Sequence, residues 1–161
     1  EVKEGLLTNR VDLGIVYLPL QHEQLESIEL FEDELQLAVS AGHPLAAADA
    51  IPLAELRTHS LAMLQPKFLV RQFFDRYCEN AGFHAKPVLE LSTLESLLQV
   101  AMAGVGAAVL PRSYLQTINQ PAISKVCLTD PAPTRMIGLV YRKSSYLSTA
   151  MKTFITQLTV R

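Results

Sequence analysis

Residues 92–111, STLESLLQVAMAGVGAAVLP, constrain the fold of this chain more than any other stretch. Ser92 and Glu95 have the spacing of a capping box, which predicts that a helix begins here with Ser92 as its N-cap. Apolar side chains then recur at i, i+3, i+4 and i+7 from Leu94 to Ala101. This spacing places them on one face, so the first half of the segment is predicted to be an amphipathic helix.

The glycines that follow this helix predict a tight connection to a strand. Gly104 is placed to adopt the left-handed conformation that ends a helix, and residues 106–110 form an apolar run that predicts a strand buried on both faces. A dinucleotide-binding fingerprint runs from strand through glycines into helix, which is the opposite order. Gly104 and Gly106 are therefore not interpreted as a phosphate loop.

The composition predicts a globular protein without a membrane span. Of 161 residues, 49% are hydrophobic, which is enough for a core, and no apolar run reaches the length of a transmembrane helix. The formal net charge is −2 and no basic stripe is present, so the chain by itself is predicted to be a poor DNA binder. The start has no signal-peptide pattern, and we expect a cytoplasmic protein.

Reactive side chains show no pattern that predicts an enzyme or a metalloprotein. The sequence contains no G-x-S-x-G elbow, H-E-x-x-H motif, P-loop or C-x-x-C pair. Cys78 and Cys127 lie far apart and are interpreted as reduced thiols, and the four histidines lack ligand spacing. We therefore expect no enzymatic activity, no metal and no other cofactor.

Short apolar runs along the first quarter of the chain predict strands. Residues 10–16 are interpreted as a buried strand, and residues 28–31 as a second one. Leu35, Leu37 and Val39 alternate with Gln36, Ala38 and Ser40, which predicts a half-buried strand. The acidic triplet 32–34 between the last two runs is interpreted as a solvated edge.

A second clear helix is predicted after the loop of residues 65–68. Its apolar residues recur at helical spacing, and Arg71 and Asp75 are placed to pair at i, i+4. Gly82 is placed to end it. A third helix is predicted from about Tyr146, capped by Ser144 or Ser145. Alternation of strands and helices favours a mostly parallel α/β sheet with ligands at the carboxyl ends of its strands.

The order of these segments resembles the effector-binding domain of LysR-type transcriptional regulators. The segments that carry the resemblance are RVDLGIV (10–16), AVSAGHPLA (38–46), AGVGAAVLP (103–111) and LVYRK (139–143), the last followed by an amphipathic helix. Each is short, but together their order and spacing cover nearly the whole chain. Residues 71–84, RQFFDRYCENAGFH, make the resemblance closest to the cyanate-operon regulator branch.

The resemblance implies an α/β, periplasmic-binding-protein-like (type 2) fold with two lobes joined by two crossing strands. Residues 1–34 and 137–161 would form the first lobe, and residues 35–136 the second. The chain begins inside what should be a helix of the first lobe. We therefore expect that lobe to be incomplete at its N-terminus.

The resemblance also implies a function. A small effector, cyanate or another small anion, would bind between the lobes and change the packing of subunits in a homo-oligomer. DNA would be bound only through a helix-turn-helix domain that this sequence does not contain. The alternative is a solute-binding protein of a transporter, which shares the fold.

The pocket residues carried over from the family are Gln65, Pro66, Lys67, Phe68, Ser92, Thr93, Val16 and Tyr17. The loop of residues 65–68 leads into a helix N-terminus, whose free N–H groups and dipole favour an anion. Each of these residues also has a purely structural interpretation. Lys67 would be a solvated loop lysine, Ser92 would only cap the helix, and Tyr17 and Phe68 would be core residues.

Overall fold

A computed structural model describes residues 1–159 of the chain. In this range the chain forms five α-helices, eight β-strands and one 3₁₀ helix. The helices are α1 (Val2–Leu7), α2 (Leu69–Asn80), α3 (Leu94–Met102), α4 (Arg112–Gln116) and α5 (Thr149–Thr159), and the 3₁₀ helix spans Leu53–Thr58. The strands are β1 (Leu13–Tyr17), β2 (Leu25–Ser40), β3 (Ala50–Pro52), β4 (Leu61–Leu64), β5 (Pro87–Leu91), β6 (Ala107–Pro111), β7 (Ile123–Thr129) and β8 (Thr134–Arg142).

The chain divides into two compact units. Unit 1 contains Glu1–Asp33 and the segment from Arg135 onward, and unit 2 contains Glu34–Thr134. The long strand β2 contributes its first half to unit 1 and its second half to unit 2.

The sheet of unit 2 is mixed, so the expectation of a mostly parallel sheet holds for some of its strand pairs and not for others. Strand β4 runs parallel to both β5 and β6, and β3 runs parallel to β7. The second half of β2, however, pairs antiparallel with β6 and with β7. A continuous apolar run indicates that a strand is buried on both faces, but a central strand of either direction has that pattern.

Strand β2 is continuous from Leu25 to Ser40, which corrects two predictions. The acidic triplet 32–34 lies within the strand and does not break it, and Asp33 is only 7% exposed. The face of residues 35–39 that carries Gln36 and Ala38 is not solvated, because both residues are as buried as Leu35, Leu37 and Val39. The alternation of side chains does not show this burial, because both faces of β2 are covered in unit 2.

Alternate residues of the central strands of unit 2 enter two separate cores. On one face, Leu37, Met63 and Val109 pack with Phe73, Phe74 and Cys78 of α2. On the other face, Ala38, Ala62 and Ala108 pack with Leu97, Leu98 and Ala101 of α3. Helices on both faces explain why every residue of β4 and of β6 is buried.

In unit 1, β1 pairs antiparallel with β8, from Leu13 opposite Tyr141 to Tyr17 opposite Ile137. Helix α1 packs against β1, and a small core forms around Leu6, Leu18, Leu25 and Val140. The prediction that residues 10–16 form a buried strand is wrong in its extent and its burial, since Ile15 is 55% exposed. Val-Ile composition favours strand but does not decide how much of a strand is covered.

The C-terminal helix α5 forms, but its apolar stripe is not buried among the described residues. Phe154 is 45% exposed, and Met151 and Ile155 are only partly covered. The predicted cap at Ser144 or Ser145 is also wrong, because the backbone N–H of Met151 donates to Ser148 Oγ at 3.3 Å. The helix therefore begins at Thr149, about three residues later than its sequence pattern indicates.

Candidate functional site

Two loops of unit 2 lie at the carboxyl ends of neighbouring parallel strands. Residues 65–68 follow β4, and residues 92–93 follow β5. The backbone N–H of Gln65 donates to the carbonyl of Leu91 at 2.9 Å, which joins the start of one loop to the end of the other strand. The structure thus brings six of the predicted effector residues to one edge of the sheet.

The first loop is compact and leads directly into α2. The Phe68 N–H donates to the Gln65 carbonyl at 3.1 Å, and Gln72 Nε2 donates to the Pro66 carbonyl at 3.0 Å. Pro66 and Lys67 are exposed, whereas Gln65 and Phe68 are half-buried. Lys67 Nζ lies 5.3 Å from the centre of the Phe68 ring, a cation–π distance.

Helix α2 begins without a side-chain cap. Its N-cap residue is Phe68, whose ring offers no hydrogen-bond acceptor to the first turn. The first N–H groups of a helix have no partner within the helix, and they carry the positive end of its dipole. The start of α2 is therefore an electropositive backbone surface beside the ammonium group of Lys67.

Helix α3, by contrast, is capped, and the prediction that Ser92 is its N-cap is wrong. The N-cap is Thr93, whose Oγ1 accepts a hydrogen bond from the Ser96 N–H at 3.1 Å and donates one to Ser96 Oγ at 2.9 Å. The helix starts one residue later than the Ser92–Glu95 spacing predicts, because Thr93 is also a good cap. The side chains of Ser92 and Thr93 are both exposed.

Val16 and Tyr17 belong to unit 1, at the end of β1. Val16 packs against the small core of that unit. Tyr17 is half-buried, and the guanidinium carbon of Arg135 lies 6.0 Å from the centre of its ring. Burial, with a smaller effect of the Asp33 carboxylate, raises the pKa of the Tyr17 hydroxyl, which Arg135 partly opposes. The phenol is therefore neutral near pH 7 and able to donate a hydrogen bond.

Two side chains support the loops through contacts that no sequence pattern predicts. Arg71, placed on α2 for its pairing with Asp75, also contacts the carboxylate of Glu90 on β5 at 2.8 Å. Glu90 lies two residues before Ser92. An acidic side chain near the carboxyl end of an otherwise apolar strand is the signal that could have drawn attention to it.

Other features of unit 1 and unit 2 do not add to this site. An open groove of about 460 Å³ beside α1 and β1 is lined by Val2, Gly5, Val11, Ile15 and their neighbours, and by none of the predicted effector residues. Residues 1–159 contain no cluster of three or more His, Cys, Asp or Glu side chains able to hold a metal ion. None of the helices described is long and apolar enough to cross a bilayer.

Both cysteines are free thiols in unit 2. Cys78 is fully buried, and burial raises the pKa of its thiol to about 12. Cys127 is half-buried, and its Sγ accepts a hydrogen bond from Gln36 Nε2 at 3.3 Å. A thiol such as Cys78, which is neutral and out of contact with water, is a poor nucleophile.

Sequence comparisons find similar bacterial proteins that are named as transcriptional regulators. It is 24% identical over 155 residues to the uncharacterized HTH-type transcriptional regulator YwbI of Bacillus subtilis, and the match covers 96% of this chain and 52% of that protein. It is 29% identical over 142 residues to the DNA-binding transcriptional dual regulator OxyR of Escherichia coli K12, and the match covers 87% of this chain and 46% of OxyR. The chain thus spans about half the length of these curated relatives.

Solved structures share the fold. The effector binding domain of BenM, with its effector benzoate, has a TM-score of 0.83 at 23% identity and covers 98% of this chain and 72% of that one. The regulatory domain of CcmR from Synechocystis PCC6803, in complex with 2-PG, has a TM-score of 0.84 at 21% identity, with 98% and 76% covered. The fold is the periplasmic-binding-protein-like type 2 fold that the family resemblance implies. A family model for the LysR substrate binding domain matches residues 1–160, and the chain belongs to that family.

Proposed function

We propose that this chain is the effector-sensing part of a LysR-type transcriptional regulator and that its loops 65–68 and 92–93 bind a small anion. The observation that carries the proposal is the start of α2, which has no side-chain cap and lies beside Lys67. An anion placed there would accept hydrogen bonds from backbone N–H groups and interact with the helix dipole. Thr93 already satisfies one N–H of α3, so α2 is the stronger of the two candidate anion contacts.

The chemistry of the effectors of related proteins supports an anion. BenM binds benzoate and CcmR was solved with 2-phosphoglycolate, both of which carry a carboxylate near neutral pH. Phe68, which is half-buried at the end of the first loop, offers an apolar surface to the rest of such a molecule. A small organic carboxylate therefore fits these loops better than a bare inorganic ion. Cyanate stays a prediction that rests on the resemblance of residues 71–84 to the cyanate-operon regulator branch.

The regulatory part of the proposal concerns the whole protein. Relatives of about twice this length are named as transcriptional regulators, so DNA binding would come from a helix-turn-helix domain elsewhere in the polypeptide. Effector binding would then alter subunit packing in a cytoplasmic homo-oligomer. The family match favours this regulator over the solute-binding protein of a transporter.

The two regulatory lobes are proposed to correspond to the two compact units. The boundaries expected from the family resemblance, 1–34 with 137–161 and 35–136, stay a prediction for the functional lobes. Contacts of the effector with Val16 and Tyr17 also stay a prediction.

Isothermal titration calorimetry with benzoate, 2-phosphoglycolate and cyanate tests the proposal. We expect at least one organic carboxylate to bind, and Lys67→Ala to weaken its binding by about tenfold, which corresponds to about 1.4 kcal/mol. Lys86→Ala is the matched control, because Lys86 is exposed and precedes β5 at its opposite end. Equal losses for the two variants would contradict the site, and no binding of any of the three anions would contradict an anion-sensing function.

A further inference from the structure

Arg71 is a buried cation whose hydrogen bonds reach beyond its own helix. The residue is 8% exposed. Its Nε lies 2.9 Å from both carboxylate oxygens of Asp75, one turn further along α2. Its Nη1 donates to the carbonyl of Leu64 at 2.9 Å and to Glu90 Oε1 at 2.8 Å. One guanidinium therefore links α2 to two strands of the sheet.

The two strand contacts are at the positions from which the candidate effector loops leave the sheet. Leu64 is the last residue of β4, immediately before Gln65. Glu90 lies on β5, two residues before Ser92. Leu64 and Leu91 are opposite each other in the register of β4 and β5, and the Gln65 N–H donates to the Leu91 carbonyl. Arg71 thus contacts both strands next to the points where the loops 65–68 and 92–93 begin, and these points determine the distance between the two loops.

The planar fork of arginine is needed for this arrangement. It holds several acceptors in fixed directions, whereas the ammonium of lysine is a single point of charge. Burial alone would lower the pKa of Arg71, but the hydrogen bonds with Glu90 and Asp75 outweigh it, so the pKa is raised. The guanidinium keeps its charge, and its charge-assisted hydrogen bonds are of the stronger kind.

We propose that Arg71 is a positioning residue that holds the loop of residues 65–68 against the end of β5 and so sets the affinity of the effector site. The proposal rests on the anion-binding function proposed for these loops. Arg71 itself is not placed in contact with the effector, because its hydrogen bonds are made to Leu64, Asp75 and Glu90.

Residue-resolved hydrogen exchange on the protein without ligand tests the positioning role. In Arg71→Met we expect exchange of the Gln65 amide to accelerate at least tenfold, while amides in α3 and β6 exchange as in the wild type. Arg71→Lys keeps a charge but not the fork, and Glu90→Gln removes one partner, so both are expected to give intermediate rates. Arg76→Met is the matched control, because Arg76 is exposed on the same helix.

Calorimetry on the same variants tests the link to binding. Benzoate and 2-phosphoglycolate are the probes, and the one that the wild type binds more tightly is compared among the variants. We expect Arg71→Met to raise its dissociation constant at least tenfold and Arg76→Met to change it by less than twofold. Unchanged exchange at Gln65 would overturn the proposal. So would acceleration throughout unit 2 in both Arg71→Lys and Glu90→Gln, since Arg71 would then be a general stabiliser. If the wild type binds neither anion, the anion-binding function fails, while exchange at Gln65 still decides whether Arg71 positions the loop.

Discussion

The side-chain oxygen Oγ1 of Thr93 accepts a hydrogen bond from the backbone N–H of Ser96 at 3.1 Å, which makes Thr93 the cap of α3. Replacing a threonine cap by alanine leaves that N–H without its acceptor and costs about 1 kcal/mol. We expect Thr93→Ala to lower the free energy of unfolding by about this amount, and Ser92→Ala by less than about 0.5 kcal/mol. Urea denaturation measures both, and a larger loss for Ser92→Ala would restore Ser92 as the cap.

Gly106 lies too close to neighbouring backbone for any side chain. A Cβ at this position would lie 2.8 Å from the carbonyl oxygen of Ser60, which is part of the backbone and cannot turn away. We expect Gly106→Ala to destabilise the protein by about 1–3 kcal/mol, the usual range for overpacking. Gly42→Ala is the control, because a Cβ there meets nothing within 4 Å. Thermal unfolding compares the two, and equal midpoints would show that the Ser60–Gly106 contact relaxes freely.

Cys78 should be inert to thiol reagents while the protein is folded. It is fully buried and its pKa is raised to about 12, so the reactive thiolate is scarce at pH 8. We expect iodoacetamide at pH 8 to modify Cys127 well before Cys78, and to modify both rapidly in urea. Mass spectrometry of peptides follows each site. Rapid modification of Cys78 under native conditions would instead favour a thiol-based sensor.

The same thiol makes stability depend on alkaline pH. Its ordinary pKa is 9.0 and its pKa in the folded protein is about 12, so the fold favours the neutral form. The contribution of the neutral thiol to the free energy of unfolding is complete below pH 9.0. It is lost as the pH rises toward about 12, because the thiol of the unfolded chain releases its proton first. Urea titrations at pH 8, 9, 10 and 11 should show a steeper loss for the wild type than for Cys78→Ala, which has no proton to release there. Parallel curves would contradict the assigned pKa.

Arg142 stabilises helix α1 of unit 1 through hydrogen bonds. Its Nη1 donates to the carbonyl oxygens of Leu6 and Val11, the latter at 3.0 Å. We expect Arg142→Gln to lower the stability of this region by about 1.5–3 kcal/mol, the range for a hydrogen bond to a charged group. Hydrogen exchange in residues 5–13 reports the loss. In Lys143→Gln exchange should not change, because the bond from Lys143 to the Gln24 carbonyl uses its backbone N–H.

Much of unit 2 could be predicted from sequence because its elements are marked locally. Gly82 and Gly104 adopt φ of +79° and +72°, as expected of residues that end helices, and Arg71 pairs with Asp75 as the i, i+4 spacing predicts. What local patterns do not encode is strand direction and coverage. The continuity of β2 through Asp33 depends on partners distant in sequence, and so does the exposure of the apolar stripe of α5.

The candidate site was predictable in its parts and not in its connections. Parallel strands followed by loops predict that residues 65–68 and 92–93 lie near each other. The hydrogen bonds that hold them, from Gln65 to Leu91 and from Arg71 to Leu64, join residues 26 and 7 positions apart through the fold. No spacing rule relates such positions, because the sheet register and the seating of α2 bring them together.

The pairing of β2 also has a consequence during synthesis of the chain. Leu37 lies opposite Val109 of β6 and Val126 of β7, both of which leave the ribosome long after it. At 5–20 residues per second, the roughly 70 residues that separate Leu37 from Val109 take about 4–14 s to translate. Throughout that interval the most apolar part of β2 has no native partner. We expect this segment of the nascent chain to be prone to non-native contacts until β6 and β7 emerge.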